Sequence, residues 1–86
     1  MLLAQSSWME VEEYLKRSKS ILVPVGSIEQ HGPNGLLGTD AICPEVIAKR
    51  AEQLTDMLVA PTFSVGCAQH HLAFAGTITL RPSTMI

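Results

Sequence analysis

Apolar residues recur along this chain in two rhythms, one helical and one continuous, and the switches between them predict the order of elements. Ser7 followed three residues later by Glu10 has the form of a capping box, and Trp8, Val11 and Leu15 then recur at helical spacing. This predicts a short amphipathic helix from about Trp8 to Lys16, with Trp8 as a packing residue on its apolar face. The polar stretch Arg17-Ser18-Lys19-Ser20 reads as a connection. Ile21-Leu22-Val23-Pro24-Val25 is a continuous apolar run, the pattern of a strand buried on both faces in a parallel sheet. Pro24 has no amide donor and belongs near the end of that strand or at an edge.

Helical spacing returns with Ile42, Val46, Ile47, Ala51 and Leu54. Thr39 or Asp40 is the expected cap, Pro44 keeps the helix start within about one turn of itself, and Glu45 and Lys49 form an i,i+4 pair. Met57-Leu58-Val59-Ala60-Pro61 reads as a second buried strand. Ile21 to Ala60 is then one strand-helix-strand unit, whose strands run parallel and end on the same rim. Gly76-Thr77-Ile78-Thr79-Leu80 is β-branched and alternating, a third strand. Pro82-Ser83-Thr84 opens another helix, and Ile86 falls inside it, so residues 1–86 read as a single partial domain.

Composition narrows the class. With 86 residues, this is at most one small domain. Apolar residues make up 47% and charged residues 16%, too apolar for a disordered chain and suggestive of surfaces that something else covers. The net charge of −2, with no basic block, argues against a nucleic-acid partner. No stretch approaches a membrane span, and the first residues lack the features of a signal peptide, so a cytoplasmic protein is the expectation. Cys43 and Cys67 have no metal-finger spacing and are expected as reduced, buried thiols.

The chemistry concentrates just after the first predicted strand, in Ser27-Ile28-Glu29-Gln30-His31-Gly32-Pro33-Asn34-Gly35-Leu36-Leu37-Gly38-Thr39-Asp40. Two carboxylates and an imidazole are ligand types for divalent ions. Glu29 and His31, two apart, leave the same face of an extended chain. Gly32-Pro33-Asn34-Gly35 is turn chemistry that lets Asp40 return, and a carboxylate in that position could bridge two cations. Spacing alone leaves a plainer reading open, in which Glu29 and His31 are loop residues and Asp40 is a helix cap. The tandem His70-His71 is a second candidate, because the rim geometry lets Gly66 to His71 lie over the same site. No glycine pattern fits a phosphate or dinucleotide loop.

Val23-Pro24-Val25-Gly26-Ser27-Ile28-Glu29-Gln30-His31-Gly32-Pro33, with Leu37-Gly38-Thr39-Asp40, resembles the signature of the creatininase (creatinine amidohydrolase) family. Gly66-Cys67-Ala68-Gln69-His70-His71-Leu72-Ala73-Phe74-Ala75-Gly76-Thr77-Ile78-Thr79-Leu80 resembles its second block, a histidine preceding Phe-Pro-Gly-Thr-Ile. The resemblance implies the N-terminal part of a three-layer α/β/α fold with a mainly parallel sheet, about the first third of the family's domain. It also implies a dinuclear site for zinc, manganese or iron that hydrolyses a C–N bond in a small cyclic or acyclic amide. Glu29 would bind one metal, His31 the other, and Asp40 would bridge them, while His71 would orient substrate or hydrogen-bond a metal ligand. Three departures stand out: Asn34 where a second histidine is usual, no Leu-Pro pair near Gly35-Leu36, and Ala75 where proline is common. The family's remaining ligands, a histidine and a glutamate, lie beyond Ile86.

The resemblance also implies a homo-oligomer, and an incomplete sheet with open edges argues the same way. Three ligands shared between two metals are few. The competing expectation is therefore a non-catalytic assembly module that keeps only the first part of the fold.

Overall fold

A computed structural model describes all of residues 1–86. Helix α1 spans Trp8–Leu15, strand β1 Ile21–Leu22, helix α2 Thr39–Thr55, strand β2 Leu58–Val59 and helix α3 Pro82–Met85, with 3-10 turns at Leu3–Gln5 and Gln69–His71. β1 and β2 are parallel, Ile21 opposite Leu58 and Leu22 opposite Val59, so the expected strand-helix-strand unit is present.

Both strands are shorter than their apolar runs, because of two prolines and one extra residue. The Ala60 amide donates to the Leu22 carbonyl at 2.9 Å, and the next bond in that direction is from Phe63 to the Pro24 carbonyl at 2.8 Å. One chain has advanced two residues and the other three, a bulge that contains Pro61, and Pro24 has no N–H to add to the ladder. Pairing resumes beyond it: Val25 bridges Phe63, and Gly26 donates to the Phe63 carbonyl at 2.8 Å. The third expected strand contributes a single antiparallel bridge, Ile78 to Ile28. Leu2 forms a further parallel bridge to Val59, which no sequence pattern announced, and the Met1 amino group is held by Glu52 at 2.6 Å.

The capping box of α1 is complete: Ser7 Oγ accepts from the Glu10 amide and Glu10 accepts from the Ser7 amide. Trp8, expected as a packing residue, is 74% exposed, and Tyr14 is buried in its place. The Tyr14 hydroxyl donates to the Ser20 carbonyl at 2.8 Å and accepts from the Leu58 amide at 3.1 Å, tying α1 to the start of both strands. A phenol can satisfy two backbone groups while its ring is buried, and an indole cannot.

α2 starts one residue from the expected cap. Gly38 is its N-cap, its carbonyl accepting from the Ile42 amide at 2.8 Å, while Thr39 donates back to Leu36 and the Asp40 carboxylate is turned toward the loop after β1. Ala41 and Ala48 form its buried stripe, whereas Ile42, Val46, Ile47 and Leu54 remain exposed. Small residues are buried because α2 packs closely on β2, and the larger apolar face is left uncovered. Cys43 and Cys67 are free as expected, but both are exposed rather than buried.

Only 8 of 86 residues are buried, and the molecule is a plate of 47 × 30 × 17 Å. Its radius of gyration of 15.5 Å exceeds the roughly 12 Å expected of a compact domain this size. No helix is long and apolar enough to cross a membrane.

What joins β1 to α2 is a backbone contact. A Cβ at Gly26 would run into the Asp40 carbonyl and come within 2.6 Å of the Ala41 Cα. Gly26→Ala is therefore expected to destabilise the chain by about 1–3 kcal/mol through overpacking, measured by urea denaturation. An unchanged midpoint would show that the contact can relax freely.

Candidate metal centre

The polar segment begins where β1's ladder ends, and its backbone is tied on both sides. The Ile28 carbonyl accepts from the Ile78 amide at 3.0 Å, and the Glu29 amide donates to the Leu37 carbonyl at 3.1 Å. Gly32, at φ +74°, turns the chain, a conformation that favours glycine. At Gly35 any side chain would overlap the His31 carbonyl and come within 2.6 Å of the His31 Cβ. The turn brings α2 back with Asp40 in its first turn, where the helix N-terminus favours an anion.

Glu29, His31 and Asp40 meet there, with ligand atoms all within 4.8 Å of one another. The three predicted metal ligands are thus brought together. His31 Nδ1 lies 3.0 Å from the Glu29 carbonyl, to which it must donate, and Nε2 lies 3.2 Å from Asp40 Oδ1. The other Asp40 oxygen accepts from the Ser27 hydroxyl at 3.1 Å. His31 is raised above the usual imidazole range, first by the Glu29 carbonyl that accepts from it and then by Asp40, against partial desolvation. Asp40 is held below the usual carboxylate range, first by the neighbouring Glu29 side chain and then by the Ser27 hydroxyl and the His31 ring that face it.

A second group shares Glu29. His70 and His71, on the 3-10 turn, have ligand atoms within 4.8 Å of it and of each other. The turn is held over the site by Ala68, whose amide donates to Thr79 Oγ1 at 2.8 Å, and by Leu80, which donates to the Gly66 carbonyl. His70 is exposed, and its ring centroid is 4.0 Å from that of His71, which meets Phe74 edge-on. His71 Nδ1 faces the Gln30 side-chain amide at 3.1 Å. Beside this group lies an open groove of about 350 Å³ lined by Gln30, Gly32, Pro33, Leu37, Phe74 and Ala75.

The sequence profile of the family described as Creatininase: Creatinine amidohydrolase matches residues 4–86. The chain belongs to the creatininase family. It is 38% identical over 73 residues to the mycofactocin precursor peptide peptidase of Mycobacterium tuberculosis (strain H37Rv), covering 73% of this chain and 29% of that protein. It is 32% identical over 78 residues to the 3-dehydro-scyllo-inosose hydrolase of Thermotoga maritima, covering 90% and 25%. A mutant creatininase of the Zn-Zn type superposes with a TM-score of 0.85 at 27% identity over 96% of this chain and 34% of that one. A manganese creatininase superposes at 0.83, with 26% identity over 96% and 35%. This chain therefore spans about a quarter to a third of the length of these relatives, carries the fold of the matching part of creatininase, and sits in a family of hydrolases.

Within the creatininase pattern, the departure at Asn34 falls on the exposed turn, and the one at Ala75 falls on the groove wall. Sequence reasoning missed Ser27 and Gln30. Both lie inside the quoted motif, but hydroxyl and amide side chains carry no ligand signature, and only the fold shows which groups they reach.

The raised His31 gives a signed expectation for the metal-free chain. Its contribution to stability is fully present below the ordinary imidazole pKa of about 6.5 and is lost as pH rises through the higher folded value. Asp40→Asn should lower the His31 value only part of the way, because the Glu29 carbonyl contributes most. NMR titration with a chelator present tests this, and a complete return to the ordinary value would assign the effect to Asp40 instead.

Proposed function

We propose that this chain supplies metal ligands to a hydrolase that cleaves a C–N bond in a small cyclic or acyclic amide. The observation that carries the reading is the approach of His31 Nε2 to Asp40 Oδ1, at 3.2 Å and beside Glu29. With its Nδ1–H directed at the Glu29 carbonyl, a neutral His31 presents an Nε2 lone pair to a carboxylate. Only a positive species next to them, a proton or a metal ion, makes that arrangement favourable. Two carboxylates and an imidazole suit zinc, manganese or iron, and the zinc and manganese forms of the matching creatininases support the same choice.

On this reading Glu29 would hold one cation, His31 a second, and Asp40 would serve both. Divalent ions held there would supply Lewis acidity, lowering the pKa of water and polarising a substrate carbonyl. The chain's own residues prepare the site. Ser27 fixes one Asp40 oxygen, the Glu29 carbonyl fixes the ring of His31, and Pro33, Leu37 and Phe74 offer apolar walls to a small substrate. The peptidase and the inosose hydrolase among the relatives support hydrolysis as the reaction class.

Zinc titration of the metal-free chain by chelator competition tests the ligand set. Glu29→Gln, His31→Gln and Asp40→Asn should each weaken binding by about 100-fold or more, since even loss of an outer-shell partner costs about 10–100-fold. Glu45→Gln, on α2 away from the cluster, should not change it. Equal affinity in all four variants would overturn the assignment. Chelator-sensitive hydrolysis of an amide by the same chain would rule out the non-catalytic module.

The proposal includes self-association. Ile21 on β1, Val23 and Val25 just beyond it, and Val46 and Ile47 on α2 are exposed apolar side chains. Sedimentation velocity should show a concentration-dependent increase in mass, and a monomer at every concentration would remove this part of the reading.

A further inference from the structure

Two hydrogen bonds determine how the Gln30 amide is oriented. Its Oε1 accepts from the Gly32 amide at 2.9 Å, and a backbone N–H can only donate. The other end of the side chain is therefore the NH2 group, and this is what lies 3.1 Å from His71 Nδ1. An NH2 group donates, so Nδ1 must accept and a neutral His71 must carry its proton on Nε2. That N–H has no hydrogen-bond partner within the chain.

We propose that Gln30 is a positioning residue that holds His71 in the Nε2–H tautomer, so that His71 serves as a hydrogen-bond donor to a substrate oxygen. The tautomer follows from the two bonds alone; the donor role rests on the hydrolase reading. A donor suits this place. Gln30 lines the groove, His71 meets the groove residue Phe74 edge-on, and Glu29 of the ligand cluster is adjacent. A carbonyl oxygen that gains negative charge as its carbon is attacked is stabilised by a preorganised N–H.

The same geometry decides against His71 as a metal ligand, although Glu29, His70 and His71 bring three ligand atoms within 4.8 Å. A ligating imidazole donates its second N–H to an acceptor, which leaves the first nitrogen bare for the metal. The Gln30 NH2 group imposes the reverse.

Nitrogen-15 NMR of the three imidazoles tests the proposal, recorded on the metal-free chain at a pH where His71 is neutral and again after adding zinc. Native His71 should give the Nε2–H pattern in both states. Gln30→Glu replaces the donor with an acceptor and should move the proton to Nδ1, whereas Gln30→Met should leave a mixture. Native His71 as Nδ1–H, an unchanged tautomer in Gln30→Glu, or loss of the Nε2–H on adding zinc would each overturn it. The native spectrum decides even if the variants fail to fold. Failure of zinc to bind would instead count against the metal-site reading and leave the tautomer standing.

Discussion

The site depends on how closely the end of the first strand approaches the start of α2. Gly26 has no Cβ, and any side chain there would occupy the position of the Asp40 carbonyl. Pro44, four residues on, offers no N–H to that carbonyl, so the strand comes against a carbonyl that has no i+4 partner in the helix. This approach brings Asp40 within reach of Ser27 and His31. A metal cluster drawn from two elements needs their backbones held to a fraction of an ångström, and contact between backbones is stiffer than one made through long side chains.

The order of elements was legible because apolar periodicity reports local burial. The capping box and the Glu45–Lys49 pair follow from neighbours within a few residues, and the parallel strand-helix-strand unit follows from the order of the elements. Strand length was not legible from that pattern. Ile21 to Val25 is apolar throughout, yet Pro24 and the offset at Pro61 interrupt the ladder, and hydropathy does not register a missing donor. Trp8 misled for a related reason: helical spacing says which residues share a face, and not whether anything lies against it. The buried position went to Tyr14, whose hydroxyl serves two backbone groups.

The site was legible in its residue types and only partly in its wiring. Glu29, His31 and Asp40 were chosen for their ligand chemistry, and the turn at Gly32 brings them together. The order in which they act on one another was hidden. The strongest influence on His31 is the Glu29 carbonyl, a backbone group that every residue possesses and that no motif can single out. Ser27 and Gln30 were invisible for the same reason, since their parts depend on which atom each one faces.

The two half-buried histidines near Glu29 therefore have opposite characters. The Glu29 carbonyl accepts from Nδ1–H of His31, so Nε2 is the nitrogen turned toward Asp40, where a proton or a cation completes the contact. An amide NH2 group faces Nδ1 of His71, so its Nε2 carries the proton, as a donor requires. Identical side chains that share Glu29 as a neighbour are thus differentiated by their hydrogen-bond partners, and those partners are the carbonyl of Glu29 and the side chain of Gln30. Both sit on the same short stretch after β1, so one backbone path orients the group suited to hold a cation and the group suited to meet a substrate oxygen. Substitution at Gln30 leaves that path's ligands chemically intact and still changes what the site presents on its other side.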